Sequence, residues 1–249
     1  MRCDIFIKGC REQLNWLAYC LQFIEKNWQH KESQLIVMVD RDCADVVSEW
    51  GVKASYIFAD PWPDRYMHAL WCKACADRYT SAELILLMDS DHLMIEPCHL
   101  GNLMGYSKPV IEYLRWDYPD RAIARRIWPR VVKESTGLDL PVDYMVKPDW
   151  MFWRSTFAGA RGLVEKHRSK PFDDAVYSEA TYDWTHYEDH PFTFCDLQNL
   201  ALYGAQFEFE KYFVWDTEKY PRPNPINDYW SHTPFETVRP ELDRLLTST

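Results

Sequence analysis

Four short runs constrain this chain more than anything else in it: "DIFIKG" at 4–9, "QLIVMVD" at 34–40, "ASYIFAD" at 54–60 and "ELILLMD" at 83–89. Each is apolar almost throughout instead of alternating, the pattern of a strand covered on both faces. Between them lie stretches with helical spacing. Leu14, Leu17, Ala18, Leu21 and Ile24 form one stripe, and Met67, Leu70, Trp71, Ala74, Cys75 and Arg78 form another. Repeated strand–helix units build a parallel sheet with helices on both sides. The expected fold is α/β, with a mostly parallel central sheet flanked by helices.

Past Ile95 the texture changes. Helix patterns weaken, Pro, Trp and Tyr accumulate, and "KPVIEYLRW", "DYMVKPDWMFW" and "AQFEFEKYFVW" read as strands. No repeat, low-complexity tract or Gly/Ser linker divides the chain, so a single domain over 1–249 is expected, regular over 1–95 and irregular over 96–249. With 28 basic and 38 acidic residues the net charge is −10. Such a molecule repels polyanions as a whole, and any nucleic-acid contact needs a local basic patch. No apolar run approaches the ~18 residues of a membrane span, and the start lacks a signal-peptide pattern. Eight cysteines, mostly inside apolar patterns, suit reduced thiols in the cytoplasm. Cys72 and Cys75 form a CxxC on a helical pattern, without a second pair at zinc-site spacing.

In open α/β sheets, ligands bind beyond the carboxyl ends of the strands. Lys8, Gly9, Asp40, Asp60, Asp89 and Asp91 all fall at such ends. Two Asp-x-Asp triplets occur among 22 aspartates, about as many as chance provides, so context must separate them. Asp40-Arg41-Asp42 is one. Asp89-Ser90-Asp91 is the other, and it follows the most apolar strand with no Gly or Pro after it. In an extended segment its two Cα atoms would lie ~6.6 Å apart on one face. One carboxylate would then ligate an ion while the other works through water or grips a hydroxyl. Asp91 is assigned to the cation and Asp89 to water or a ribose. Carboxylates select hard ions such as Mn²⁺ or Mg²⁺, which keep substrate phosphates as co-ligands.

Two further segments have their own physical reading. Thr233-Pro234-Phe235-Glu236 is a capping box with Pro at the first helical position, which pins His232 just before a turn that Pro240 cuts short. In "FTFCDLQNLALYG", Asp196 fits an N-cap, with Leu197, Leu200 and Ala201 as the buried face and Gly204 as terminator. There the helix dipole would keep Asp196 ionised.

The opening strand with "GCREQLNWLAYCLQFIEKNW", the stretch "RYMHALWCKACADRYTSAELILLMDSD" and the tail "YWSHTPFETVRPEL" together resemble the GT-A glycosyltransferases. That resemblance implies transfer of a sugar from a nucleoside-diphosphate sugar, with a UDP-sugar expected, to a hydroxyl acceptor. It implies Mn²⁺ (or Mg²⁺) on Asp89, Asp91 and His232. It implies donor contacts from Lys8, Gly9, Arg11, Asp40, Lys73, Asp89 and Ser90, with 1–95 holding the donor and 96–249 the acceptor. By the same likeness Asp196 faces the acceptor and acts as general base if the reaction inverts. The first strand departs from many members in ending "IKGCREQ" instead of a Thr/Ser-rich turn.

The acceptor side is read from charge and aromatics. Trp184 and Tyr187 sit among carboxylates in "SEATYDWTHYEDHPF", a mixture that stacks on sugars or bases; His186 and His190 lack the helix a zinc pair needs. Residues 115–133 carry Arg115, Arg121, Arg125, Arg126, Arg130 and Lys133 against Asp117 and Asp120, a local charge of 6 − 2 = +4. Such a stretch is a solvated helix face or a phosphate track, with Trp116 and Trp128 available for stacking. Taken with the resemblance, the expected acceptor is a glycan or a charged polymer such as modified DNA. Two other readings stay open: a metal-dependent nucleotidyltransferase or hydrolase, and a non-catalytic carbohydrate- or nucleotide-binding module.

Overall fold

A computed structural model describes residues 1–118, 122–146, 150–177, 194–219, 225–228 and 234–247. The elements in chain order are β1 (Cys3–Gly9), α1 (Leu14–Asn27), β2 (Leu35–Asp40), α2 (Ala44–Val47), β3 (Ser55–Ala59), α3 (Arg65–Ala74), β4 (Leu84–Asp89), β5 (His92–Met94), β6 (Met104–Gly105) and β7 (Lys108–Tyr113). There follow α4 (Ala122–Thr136), β8 (Trp150–Trp153), α5 (Arg154–Arg168), α6 (Phe172–Tyr177), α7 (Asp196–Phe207), β9 (Phe213–Asp216), β10 (Ile226–Asp228) and α8 (Phe235–Thr247).

The four apolar runs are the four parallel strands of the central sheet, whose order is β3-β2-β1-β4-β8 with β8 antiparallel at the edge. From β1 the chain steps outward through β2 to β3, then returns to place β4 on the other side of β1. That reversal opens a crevice at the carboxyl ends of β1 and β4, where α/β sheets bind ligands. The register pairs Lys8 with Asp89 across it.

Side-chain alternation along each strand then sorts the residues. Ile5, Ile7, Val37, Val39, Leu84, Leu86 and Met88 enter a core shared with α1, β5 and α8. Phe6, Ile36, Met38, Ile85 and Leu87 enter the opposite core, under α3, α4, α5, α6 and α7. By the same parity Lys8, Asp40 and Asp89 face the α3 side. Helix α3 starts sharply because Asp64 caps it, its carboxylate accepting from the backbone of Tyr66 (2.9 Å) and Met67 (3.0 Å).

Several expectations change. The strand read over "AQFEFEKYFVW" is half right: Ala205–Phe207 finish α7, a 3-10 turn follows, and only Phe213–Asp216 are strand. Gly204 does not terminate α7 but sits buried inside it, where a β-carbon would press on Tyr212 at 2.8 Å and Ile111 at 2.9 Å. Pro240 does not cut the last helix short. Helix α8 runs through it because Leu242, fully buried, and its neighbours Phe235, Val238, Leu245 and Leu246 pack into the α1 core, offsetting the roughly 3 kcal/mol a mid-helix proline costs. Phe235 sets its edge against Trp16 and Tyr19, each 5.2 Å away, and Lys26 donates to the carbonyls of Leu245 and Leu246 at 2.9 Å.

All eight cysteines are free thiols, as expected. No helix among the described residues is long and apolar enough to cross a membrane.

Helix α7 is held close to α5 at one point, where the ring of Tyr203 lies against the α-carbon of Gly159. Gly159→Ala therefore overpacks the interface and should cost about 1–3 kcal/mol in urea unfolding. Tyr203→Ala in the same chain should recover most of that loss, and a double-mutant cycle without coupling contradicts this packing.

Candidate metal and donor site

The Asp-Ser-Asp stretch is not extended. Asp89 ends β4, Ser90 and Asp91 form a turn, and His92 starts β5. The turn brings one ligand atom each from Asp89, Asp91 and His92 within 4.8 Å of one another. Both carboxylates can thus address one small volume, whereas in the expected extended segment only one of them would ligate an ion directly.

His92 has a different task from its two acidic neighbours. Its Nδ1 accepts the Asp89 backbone N–H at 3.1 Å, so in the neutral ring the proton lies on Nε2, which sits 3.8 Å from Asp89 Oδ2. A ring in that tautomer presents no lone pair on Nε2 to an ion. Trp150 of β8 packs against it at 5.0 Å. His92 fixes the turn, and two hard oxygen donors remain, the set that suits Mg²⁺ or Mn²⁺.

Behind Asp89 stands Lys73. It sits on the strand-facing side of α3, 5% exposed, with Nζ donating to Asp89 Oδ1 at 2.8 Å and lying 3.4 Å from Asp196 Oδ2. The Trp150 ring centroid is 5.7 Å away, near enough for a cation–π contribution. Burial pushes this ammonium toward neutrality, but Asp196 and Asp89 outweigh it and hold the proton. Burial likewise pushes Asp89 up, and Lys73 and His92 pull it below the ordinary aspartate range.

Asp196 departs from its expected state. Cys195 is the N-cap, Asp196 is the first helical residue, and its side chain makes no capping bond. The carboxylate is fully buried, with neither oxygen hydrogen-bonded. Burial pushes its pKa up to about 6, against the pull of Lys73 and with a push from Asp89. Desolvation defeats the helix dipole that was expected to keep the group ionised.

Other expected donor contacts are committed elsewhere. Lys8 Nζ donates to Asp40 Oδ1 at 2.6 Å and to Gly9 O at 2.7 Å, entirely below the surface. Asp40 also lies 3.4 Å from His68 Nδ1. Burial raises Asp40, but His68 and Lys8 outweigh it and hold it low. As the fold stands, this is an internal ion pair and not a row of free contacts on a rim. Gly9 is buried over Leu17. Ser90 is buried and donates to Gln13 Oε1 at 2.9 Å. Arg11 is exposed and reaches the Asp42 carbonyl, and Asp60 pairs with Arg41 in solvent.

On α4, Arg125 and Arg126 are exposed, Arg130 pairs with Glu134 and Lys133 with Asp139. Trp128 is only 6% exposed, and Trp116 is spent on the Leu140 carbonyl at the edge of the core. The stacking partners expected beside the basic track are therefore missing. Arg121, Trp184, Tyr187, His186, His190 and His232 lie outside the described residues. Described residues flank His232 on both sides: Asp228 pairs with His92, and Phe235 rests on Trp16. Reading the sequence missed His92 and Trp150. The signal for His92 was its place directly after the second aspartate; Trp150, far along the chain, left none.

A scan of family models finds no match to this sequence, and neither does a comparison with curated proteins. Solved structures do match. Its structural neighbours include glycosyltransferases. Two structures of the glycosyltransferase GlyE from Streptococcus pneumoniae TIGR4 match with TM-scores of 0.41 and 0.45 at 8% and 7% identity, covering 87% and 100% of this chain. This chain spans 46% and 61% of those GlyE chains. The galactosyltransferase LgtC, in complex with donor and acceptor sugar analogs, matches with a TM-score of 0.48 at 12% identity over 99% of this chain and 97% of its own.

Asp196 gives the site a measurable pH signature. Its folded pKa of about 6 exceeds the ordinary aspartate value of about 3.9, so between the two the folded chain binds more protons than the unfolded one. This group then subtracts stability as pH rises through that window. Chemical unfolding from pH 4 to 6 should show wild type losing stability relative to Asp196→Asn; parallel curves would contradict the buried, raised carboxyl.

Proposed function

We propose that this chain is a divalent-metal-dependent glycosyltransferase that takes its sugar from a nucleoside diphosphate, UDP by expectation, and passes it to a hydroxyl acceptor. The observation that carries this reading is the convergence of Asp89 and Asp91 at the carboxyl end of β4, in the crevice where strand order reverses, with the Lys73 ammonium beside them. Asp89 and Asp91 would hold Mn²⁺ or Mg²⁺ together with the diphosphate, and His232 stays a proposed third ligand. Such an ion neutralises the charge that gathers on the leaving diphosphate. Lys73 adds a second positive charge at the same place.

Asp196 belongs to the donor side of this arrangement, because it shares its counter-ion with Asp89. Serving as base to an acceptor hydroxyl would require it to be uncovered first. A buried carboxylate that positions Lys73 is the role its surroundings favour.

The domain proposal is one unit over 1–249, with the donor held by 1–95 and the acceptor by 96–249. Strand β8 and Asp196 come from the second half and yet lie beside β4 and Lys73, which supports one unit. For the acceptor, exposed Arg125 and Arg126 favour an anionic glycan or polymer, and Trp184, Tyr187 and Arg121 remain proposed contacts.

Thermal-shift measurements with nucleoside diphosphates and their sugars, with and without Mn²⁺, test the reading. Stabilisation should require the ion, amount to about 2–3 kcal/mol at a hundredfold excess over Kd, and vanish in Asp91→Ala. A response to nucleoside triphosphates alone would transfer the site to nucleotidyl transfer. No response to any nucleotide would leave a binding module.

A further inference from the structure

Lys73 stands between Asp89 and Asp196 at the β4 tip, where Asp91 brings a third carboxylate. Lys73 spends its closest contact on Asp89, the one carboxylate of the three that solvent reaches freely, at 36% side-chain exposure. Its longer contact, 3.4 Å, is with Asp196, which has no hydrogen bond of its own. An ammonium on a four-carbon stem can shift between two such partners by rotation about its terminal bonds. Two groups already lie beside it, Asp196 at 3.4 Å and the Trp150 ring centroid at 5.7 Å.

We propose that Lys73 competes with a divalent cation for Asp89 and withdraws onto Asp196 when Asp89 takes that cation up. This rests on the reading of Asp89 and Asp91 as metal ligands. The exchange has a direct consequence: Lys73 competes with the ion for Asp89, and Asp196 relieves that competition by offering the ammonium another partner. The two members of one ion pair therefore act on metal affinity in opposite senses. The withdrawn ammonium also lies beside the ion, so positive charge at the tip rises from one unit to three at the moment a diphosphate can bind. His92 keeps the Asp89 backbone fixed meanwhile through its 3.1 Å bond to the amide, so only side chains need to move.

Binding of Mn²⁺ alone, followed by loss of the free-ion electron paramagnetic resonance signal, tests this on the full chain without nucleotide. Lys73→Met should tighten Mn²⁺ by about tenfold, the equivalent of 1.4 kcal/mol, and Asp196→Asn should weaken it by a similar factor. A purely structural role for the pair moves both in the same direction. Should Lys73→Met not fold, because it strands the buried Asp196, the double variant Lys73→Met/Asp196→Asn leaves neither charge alone and should also bind more tightly than wild type. Weakening in both single variants, or no change in either, overturns the exchange. If wild type binds Mn²⁺ and Asp91→Asn does not, the metal reading survives that failure. If wild type binds no Mn²⁺ at all, the exchange and the metal reading fall together.

Discussion

Like charges delivered to one edge of a parallel sheet are the constraint from which the rest of this structure follows. Strand polarity sends Asp40 and Asp89 to the same rim, and the turn and α7 add Asp91 and Asp196. None of these could be buried or half-buried there without compensation, because an isolated charge in a protein interior is prohibitively costly. Among the described residues, two ammonium groups compensate three of them. Lys8, from the central strand, neutralises Asp40, and Lys73, from α3, stands between Asp89 and Asp196. The first pair is sealed and structural. The second is open on one side, and that asymmetry is why β4 and not β2 is the proposed metal-binding tip.

The two cores serve this arrangement differently. On the α3 side, α5 and α7 pack closely enough at Gly159 to bring Asp196 in from a distant part of the sequence. On the other side, α8 closes over α1, whose N-cap residue Gln13 accepts from the Ser90 hydroxyl and steadies the turn between the two aspartates. Both faces of the sheet thus bear on a stretch of three residues.

The sheet was legible because buried parallel strands leave a signal that needs no partner to read, four apolar runs with charged ends. The Asp89–Asp91 pair was legible because it closes the most apolar of them. What failed to show was everything set by contact across the chain. Lys8 looked available for a donor, since its Asp40 partner comes from another strand. Asp196 looked like an exposed cap, since nothing local shows that burial would lift it toward pH 6. Pro240 looked like a stop signal, since the apolar face that carries α8 through it finds its partners more than two hundred residues earlier in α1. Trp128 looked like a stacking surface and is core, because helical spacing alone does not say which side of α4 meets the sheet.

Central to the account is that Asp89 and Asp91 together grip one divalent cation carrying a nucleoside diphosphate. Anomalous diffraction from crystals grown with Mn²⁺ and UDP is the most direct measurement of it. The account predicts a single manganese peak bonded to carboxylate oxygens of both residues and to the diphosphate. A diphosphate bound elsewhere, or manganese absent from the end of β4 at saturating concentration, would contradict it.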